Sequence, residues 1–238
     1  MAKVILAPEV SEAFPETEIR LISARGLENS SPWPESVDIR TEAAEAVANG
    51  RAEAFDEESD HIASWHAAYR AFGTNPRRFR PSVDALLRRA RKSGALPSIS
   101  PAVDAYNAVS VLWGLPAGAF DLDRVAGDIV IRHARDAELF EPLGAPGEWE
   151  NVRAGEVVYA DEEAVLTRHW NHRDCHRTML RPDSRNALFM LERVSGKVPL
   201  DELDQAAERL AGLVAAHAQH VGTHLLNRGS AEVALPVA

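Results

Sequence analysis

The hydrophobic period of this chain changes twice, and each change fixes the kind of element that can form. Between Ile62 and Gly114 apolar residues recur at helical spacing. Ile62, Trp65, Tyr69 and Phe72 share one helical face, Val83, Leu86, Leu87 and Ala90 a second, and Val103, Tyr106 and Val111 a third. Gly73-Thr74-Asn75-Pro76, Gly94 and Gly114 supply the stops, and Ser82 is placed to cap the middle helix. From Ile129 the pattern shortens to β-like pieces at 129–133, 156–160, 164–168 and 187–192, with Asp161-Glu162-Glu163 as a hairpin turn. Residues 18–23 alternate polar with apolar and read as an earlier, half-buried strand. The helical period returns at Leu200 and runs through Leu203, Ala207, Leu210, Val214 and Leu225. Segregated helices and strands predict an α+β fold rather than a doubly wound sheet. The expected layout is one domain over 1–238. It has a helical part at about 34–115, a mainly antiparallel sheet from 129–193 flanked by helices, and a C-terminal helix at about 200–226.

Composition narrows the class. With 45% hydrophobic and 26% charged residues the chain is neither disordered nor membrane-spanning in character, so no membrane partner is expected. Val4-Ile5-Leu6-Ala7 before Pro8 is too short for a signal-peptide core, and a single cysteine, Cys175, forbids an internal disulfide; a cytoplasmic location is expected. A formal net charge of -10 argues against a dedicated nucleic-acid binder. Locally the balance reverses. Arg77, Arg78, Arg80, Arg88, Arg89, Arg91 and Lys92 face only Asp84 within 75–92. That stretch is either an RNA-facing patch or a solvated helix face balanced by Glu53, Asp56, Glu57 and Glu58.

The densest polar run is Arg168-His169-Trp170-Asn171-His172-Arg173-Asp174-Cys175-His176-Arg177-Thr178, directly after an apolar strand, where a fold displays functional groups. His169, His172, His176 and Cys175 are of metal-ligating type, but there is no Cys-x-x-Cys pair and no His-Glu-x-x-His, so hydrogen-bonded histidines are the simpler reading. Cys175 beside a histidine could be a nucleophile or a packed thiol. Glycine-rich phosphate loops are absent, and neither metal nor cofactor is expected. Asn107 lies among apolar residues, and Glu192 ends the apolar run Ala187-Leu188-Phe189-Met190-Leu191. A buried amide needs partners, so Asn107 either braces backbone or faces a pocket.

Two stretches resemble the B3/B4 editing region of the β subunit of bacterial phenylalanyl-tRNA synthetase. Ala102-Val103-Asp104-Ala105-Tyr106-Asn107, then Gly114-Leu115-Pro116-Ala117-Gly118-Ala119-Phe120-Asp121 and Ile129-Val130-Ile131-Arg132, are similar to that family's V-V-D-x-x-N, G-x-P-x-H-A-F-D and I-x-V-R runs. Val157-Val158-Tyr159-Ala160-Asp161 and the strand closing on Glu192 resemble its L-V-I-A-D and its glutamate-ended strand. Trp65 to Pro101 resembles the family's free-standing members. The resemblance implies a B3/B4-like fold and a deacylase that hydrolyses mischarged tRNA in trans. Glu192 then matches the glutamate that reads the amino acid side chain, and His169–Arg173 falls where the family has a glycine-rich pocket wall. The sequence departs at Pro97, where the synthetase has an arginine, at Gly118, where it has the pocket histidine, and in lacking the downstream Thr-x-Ala segment.

Ester hydrolysis needs a placed water, a donor for the developing oxyanion and a route for a proton. His169 or His172 could orient the water, Arg168 or Arg173 could stabilise charge, and Asn171 could hold the substrate amine or carbonyl. Trp170, His176, Asn107 and Glu192 complete the expected pocket, which is narrower than a glycine-walled one and favours a smaller or more polar substrate. Aminoacylated tRNA is the expected partner, bound through Arg77, Arg78, Arg80, Arg88, Arg89 and Lys92, and a free amino acid is a second ligand. A non-catalytic module that binds an amino acid or a tRNA end, and a hydrolase or metalloenzyme acting on a small amide or ester, are the alternatives.

Overall fold

The computed structural model describes residues 2–51 and 55–235. In chain order the elements are β1 (Lys3–Leu6), α1 (Pro8–Ala13), β2 (Glu18–Arg25), α2 (Pro34–Ala48), α3 (Asp60–Ala71), α4 (Ser82–Ser93), α5 (Pro101–Trp113) and β3 (Ala117–Asp121). They continue with β4 (Ile129–His133), β5 (Leu139–Phe140), β6 (Glu150–Asn151), β7 (Val157–Ala160), β8 (Val165–Arg168), β9 (Arg173–Asp174), β10 (Asn186–Arg193), α6 (Leu200–Ala215), β11 (His220–Asn227) and β12 (Glu232–Ala234).

Two main sheets form, of order β12-β1-β4-β7-β8-β9 and β11-β2-β10-β3. Every pairing in them is antiparallel except that of β1 with β4. The four-stranded sheet has no solvent face along β10. Ala187, Phe189 and Leu191 pack with α2, α4, α5 and α6, whereas Leu188 and Met190 pack with α3 and the six-stranded sheet. Its neighbours follow the same parity, since directly paired residues share a face. Ile22 and Ala24 of β2 join the helical core, and Ile19 and Leu21 join the core between the sheets. The result is three layers: helices, a four-stranded sheet and a six-stranded sheet. β10 therefore reads as an unbroken apolar run, as a strand buried on both faces must.

The fold is α+β, with mainly antiparallel sheets flanked by helices, and its strands sit close to the expected pieces. The expected single sheet over 129–193 divides, however, because β10 leaves the six-stranded sheet to pair with β2 and β3. The expected helix over 200–226 ends at Ala215. His220–Asn227 instead pairs along the whole of β2, where Val221 and Thr223 suit a strand, so that Leu225 fell on the helical period by coincidence. Ser82 is the first helical residue of α4 rather than its cap; its backbone N–H donates to the Asn171 carbonyl at 2.9 Å. Trp65, Tyr69 and Phe72 are buried in the core between sheets, as their spacing indicated. Among the described residues no helix is long and apolar enough to cross a membrane.

Candidate functional site

The loop between β8 and β9 spans only four residues, and two of them carry left-handed backbone: His169 at φ 47° and Trp170 at φ 69°. Non-glycine residues hold such angles only where their surroundings fix them. Here the Trp170 N–H donates to the Val157 carbonyl at 2.6 Å, and its indole is wedged edge-on between Phe14 and Trp65, with ring centroids 5.1 and 5.3 Å away. The turn swings Asn171 and His172 toward a cavity between the two sheets.

That cavity measures about 190 Å³. Ala117, Gly118, Met190 and Glu192 of the four-stranded sheet line it on one side, and Tyr159, Thr167, Arg173 and Asp174 of the six-stranded sheet on the other. Trp170, Asn171 and His172 of the turn, Tyr106 and Asn107 of α5, Ser82 and Leu143 complete the wall. Glu192 is its most buried charged group, with 3% exposure. β10 aims it between the sheets because it shares parity with Leu188 and Met190. Tyr159 donates its hydroxyl to Oε1, Asn171 donates Nδ2 to Oε2 at 2.6 Å, and Tyr69 donates to Asn171 Oδ1 at 2.8 Å. Burial pushes the Glu192 carboxyl up to about 7 and outweighs the opposing pull of those donors. Asp174, held by the Thr167 hydroxyl at 2.7 Å, is likewise pushed up by burial, to about 6.

The two histidines of the turn differ in what their rings meet. His172 has Nδ1 at 2.7 Å from the Arg80 carbonyl. A carbonyl only accepts, so Nδ1 carries the proton and Nε2 keeps the lone pair. Burial lowers the basicity of this ring, which favours the neutral form. His169 does not line the cavity, contrary to expectation. Its Nδ1 lies 2.9 Å from Thr74 Oγ1 and 3.2 Å from Glu156 Oε2, its ring stacks on Phe79 at 4.1 Å, and burial lowers it to about 3. Arg168 is also displaced from the cavity. It grips the buried Glu156 with two bonds of 2.9 Å and reaches Glu150 at 3.2 Å, because Glu156 requires a cation there. His176 lies outside as well, its N–H bound to the Glu141 carbonyl at 2.9 Å and its Nδ1 enclosed. Cys175 is buried against Thr178 Oγ1 at 3.1 Å, and burial pushes its thiol up, which disfavours the thiolate a nucleophile needs.

Asn107, Trp170, Asn171, His172, Arg173 and Glu192 thus meet at one cavity, while Arg168 and His169 pack behind the turn and His176 lies outside. Tyr69, Tyr159, Thr167 and Asp174 were not singled out from the sequence. Glu192 was singled out by its place at the end of an apolar run and by the family resemblance, but nothing local placed the two tyrosines beside it. Of the basic stretch, Arg77, Arg78, Arg89 and Lys92 are exposed. Arg80 and Arg88 are instead committed to Asp84, at 2.8 Å each, and to Glu57. Glu53, expected to balance this stretch, lies outside the described residues.

The model of the B3/4 domain matches residues 64–219, more than half of the chain. The chain belongs to the B3/4 domain family. It is similar to part of the phenylalanine–tRNA ligase β subunit of Methylococcus capsulatus, 46% identical over 78 residues that cover 33% of this chain and 10% of that protein. The β subunit of Nocardia farcinica is 36% identical over 101 residues, covering 42% of this chain and 12% of its own length. The chain therefore corresponds to about a tenth of these relatives. An N-terminal fragment of the phenylalanyl-tRNA synthetase β subunit from Pyrococcus horikoshii aligns with 98% of this chain and 54% of its own, at 14% identity and a TM-score of 0.47.

The raised Glu192 carboxyl has a consequence for stability. The folded protein holds this proton to about 7, whereas an unfolded glutamate releases it near 4.5. The stabilisation is therefore complete at acid pH and is lost as pH rises through 7. His169 and Asp174 titrate in both wild type and Glu192→Gln, so the difference between the two proteins reports Glu192 together with its interaction with Asp174. Denaturant unfolding should show the wild type losing about 2 kcal/mol relative to Glu192→Gln between pH 5 and 8. A difference independent of pH would contradict the buried, protonatable carboxyl.

Proposed function

We propose that this protein hydrolyses the ester bond of mischarged aminoacyl-tRNA, acting on it in trans. The observation that carries the reading is His172, a neutral imidazole on the cavity wall whose tautomer is fixed by the Arg80 carbonyl so that Nε2 is free to accept a proton. The matched relatives are tRNA ligase subunits, which makes an aminoacyl ester the natural substrate class. The cavity has the scale of an aminoacyl group and excludes a nucleotide, so the ribose would wait at the mouth.

In this scheme a water hydrogen-bonded to His172 Nε2 attacks the ester carbonyl carbon and passes its proton to the ring. The carbonyl oxygen takes up the displaced electron pair and is met by the Asn107 amide, which makes no side-chain hydrogen bond among the described residues. Collapse of the tetrahedral species breaks the bond to the ribose oxygen, which recovers the proton from His172. Free amino acid and intact tRNA leave. Glu192 and Asn171 act on the acyl group: a carboxyl that can exist protonated both accepts and donates hydrogen bonds to a polar side chain.

A panel of tRNAs charged with different amino acids tests the activity. At least one should release its amino acid, and His172→Ala should slow that release on the order of 10²-fold with the fold retained. Tight binding of free amino acid or uncharged tRNA without release from any member would favour a non-catalytic binding module. For the RNA itself we assign the contacts to Arg77, Arg78, Arg89 and Lys92. Arg77 and Arg78 lie within three residues of Arg80, whose carbonyl holds His172. Reversal of each charge should weaken tRNA binding whatever the tRNA sequence and reduce the slope of log affinity against log salt by about 1 per lost phosphate contact. Unchanged affinity at low salt would reduce the patch to solvation.

A further inference from the structure

Asp174 is the cavity group whose charge nothing answers. Its Oδ1 accepts the Thr167 hydroxyl at 2.7 Å, and Oδ2 lies 3.8 Å from where a Cβ on Gly118 would stand, over a stretch of wall that has no side chain. No ion pair reaches Asp174 among the described residues. The neighbouring Arg173 turns away, bonding the Leu143 carbonyl at 2.9 Å and lying 3.8 Å from Glu150. Burial lifts the carboxyl only to about 6, so it is ionised at neutral pH. An ionised, partly enclosed carboxylate without a partner is costly, and a cation from a ligand removes that cost. Another group asks for an acceptor. The Asn107 amide, on the cavity wall, makes no side-chain hydrogen bond among the described residues.

We propose that Asp174 anchors the α-ammonium group of the acyl substrate, with the acyl carbonyl turned toward Asn107, so that the site admits acyl groups with a free α-amine and rejects Nα-acylated ones. This rests on the aminoacyl-ester reading for the acyl group, but its binding consequence is independent of hydrolysis. A thiol, a phosphate or a neutral acyl chain offers nothing to Asp174, whereas an amine one carbon from a carbonyl supplies both the cation and the acceptor. Gly118 is the companion feature, because a side chain there would stand over Oδ2 and take the space of the amine.

The test is equilibrium binding of the primary amides of the proteinogenic amino acids, each compared with its Nα-acetyl amide. At least one free amide should bind the wild type at least about tenfold more tightly than its acetylated form, the scale of losing one charged hydrogen bond. Asp174→Asn, which is isosteric and removes an uncompensated charge, should bring that ratio to about one. Gly118→Ala, whose added methyl meets only Met190 Cε at 3.6 Å and Asp174 Oδ2 at 3.8 Å and therefore leaves the fold intact, should weaken binding of the free amides. Equal binding of free and acetylated amides, no binding of any amide, or a preference that survives in Asp174→Asn would overturn the assignment. Nα-acetyl-lysinamide binding as tightly as lysinamide would place a side-chain ammonium on Asp174 and overturn it too. A preference present in binding, with no release from any charged tRNA, would refute the deacylase reading and leave this one standing.

Discussion

A carboxyl group cannot sit between two packed sheets unless donors come to meet it, and Glu192 is where this chain meets that demand. Its neighbours of the same parity on β10, Leu188 and Met190, are ordinary core residues. An apolar side chain in its place would let the seam close. With a carboxylate there, Tyr159 of β7, Asn171 of the β8–β9 turn and, through Asn171, Tyr69 of α3 are drawn to one point from three separate elements. The cavity is the space these polar groups and the bare Gly118 leave between layers that otherwise interdigitate.

The turn that carries Asn171 holds two consecutive left-handed residues, each costing on the order of 1–2 kcal/mol. Packing of the Trp170 indole, the backbone bond to Val157 and the grip of Glu156 and Thr74 on His169 offset that cost. This explains how two histidines three residues apart come to serve different ends. The His169 ring is bound through Nδ1 to Thr74 and Glu156 and packed on Phe79, away from the cavity, whereas the His172 ring lies on the cavity wall with Nδ1 on a backbone carbonyl and Nε2 left with its lone pair.

Much of this was legible in the sequence, for identifiable reasons. Long helices with glycine stops and short strands between turn residues are local patterns, and α3, α4, α5, β4, β7, β8 and β10 follow from them. The polar run after β8 marked the site because nothing else in the chain concentrates hydrogen-bonding groups in that way. What the sequence hid depends on partners far away along the chain. Whether Arg168 and Arg80 are free depends on Glu156 and on Asp84 and Glu57, and the place of Tyr69 opposite Asn171 depends on how α3 docks. The last strand was masked because Leu225 falls on the period of α6 while its segment pairs with β2. Asp174 lay within the quoted run, but its lack of a counter-charge is a property of the assembled cavity alone.

The most direct test of the account is a crystal structure of the protein with a non-hydrolysable 3′-aminoacylamino-3′-deoxyadenosine. The account predicts the acyl group inside the cavity between β10 and β7, with its carbonyl carbon facing the Nε2 side of His172 and the adenosine at the mouth. An analogue bound elsewhere, or a cavity left empty at saturating concentration, would contradict it.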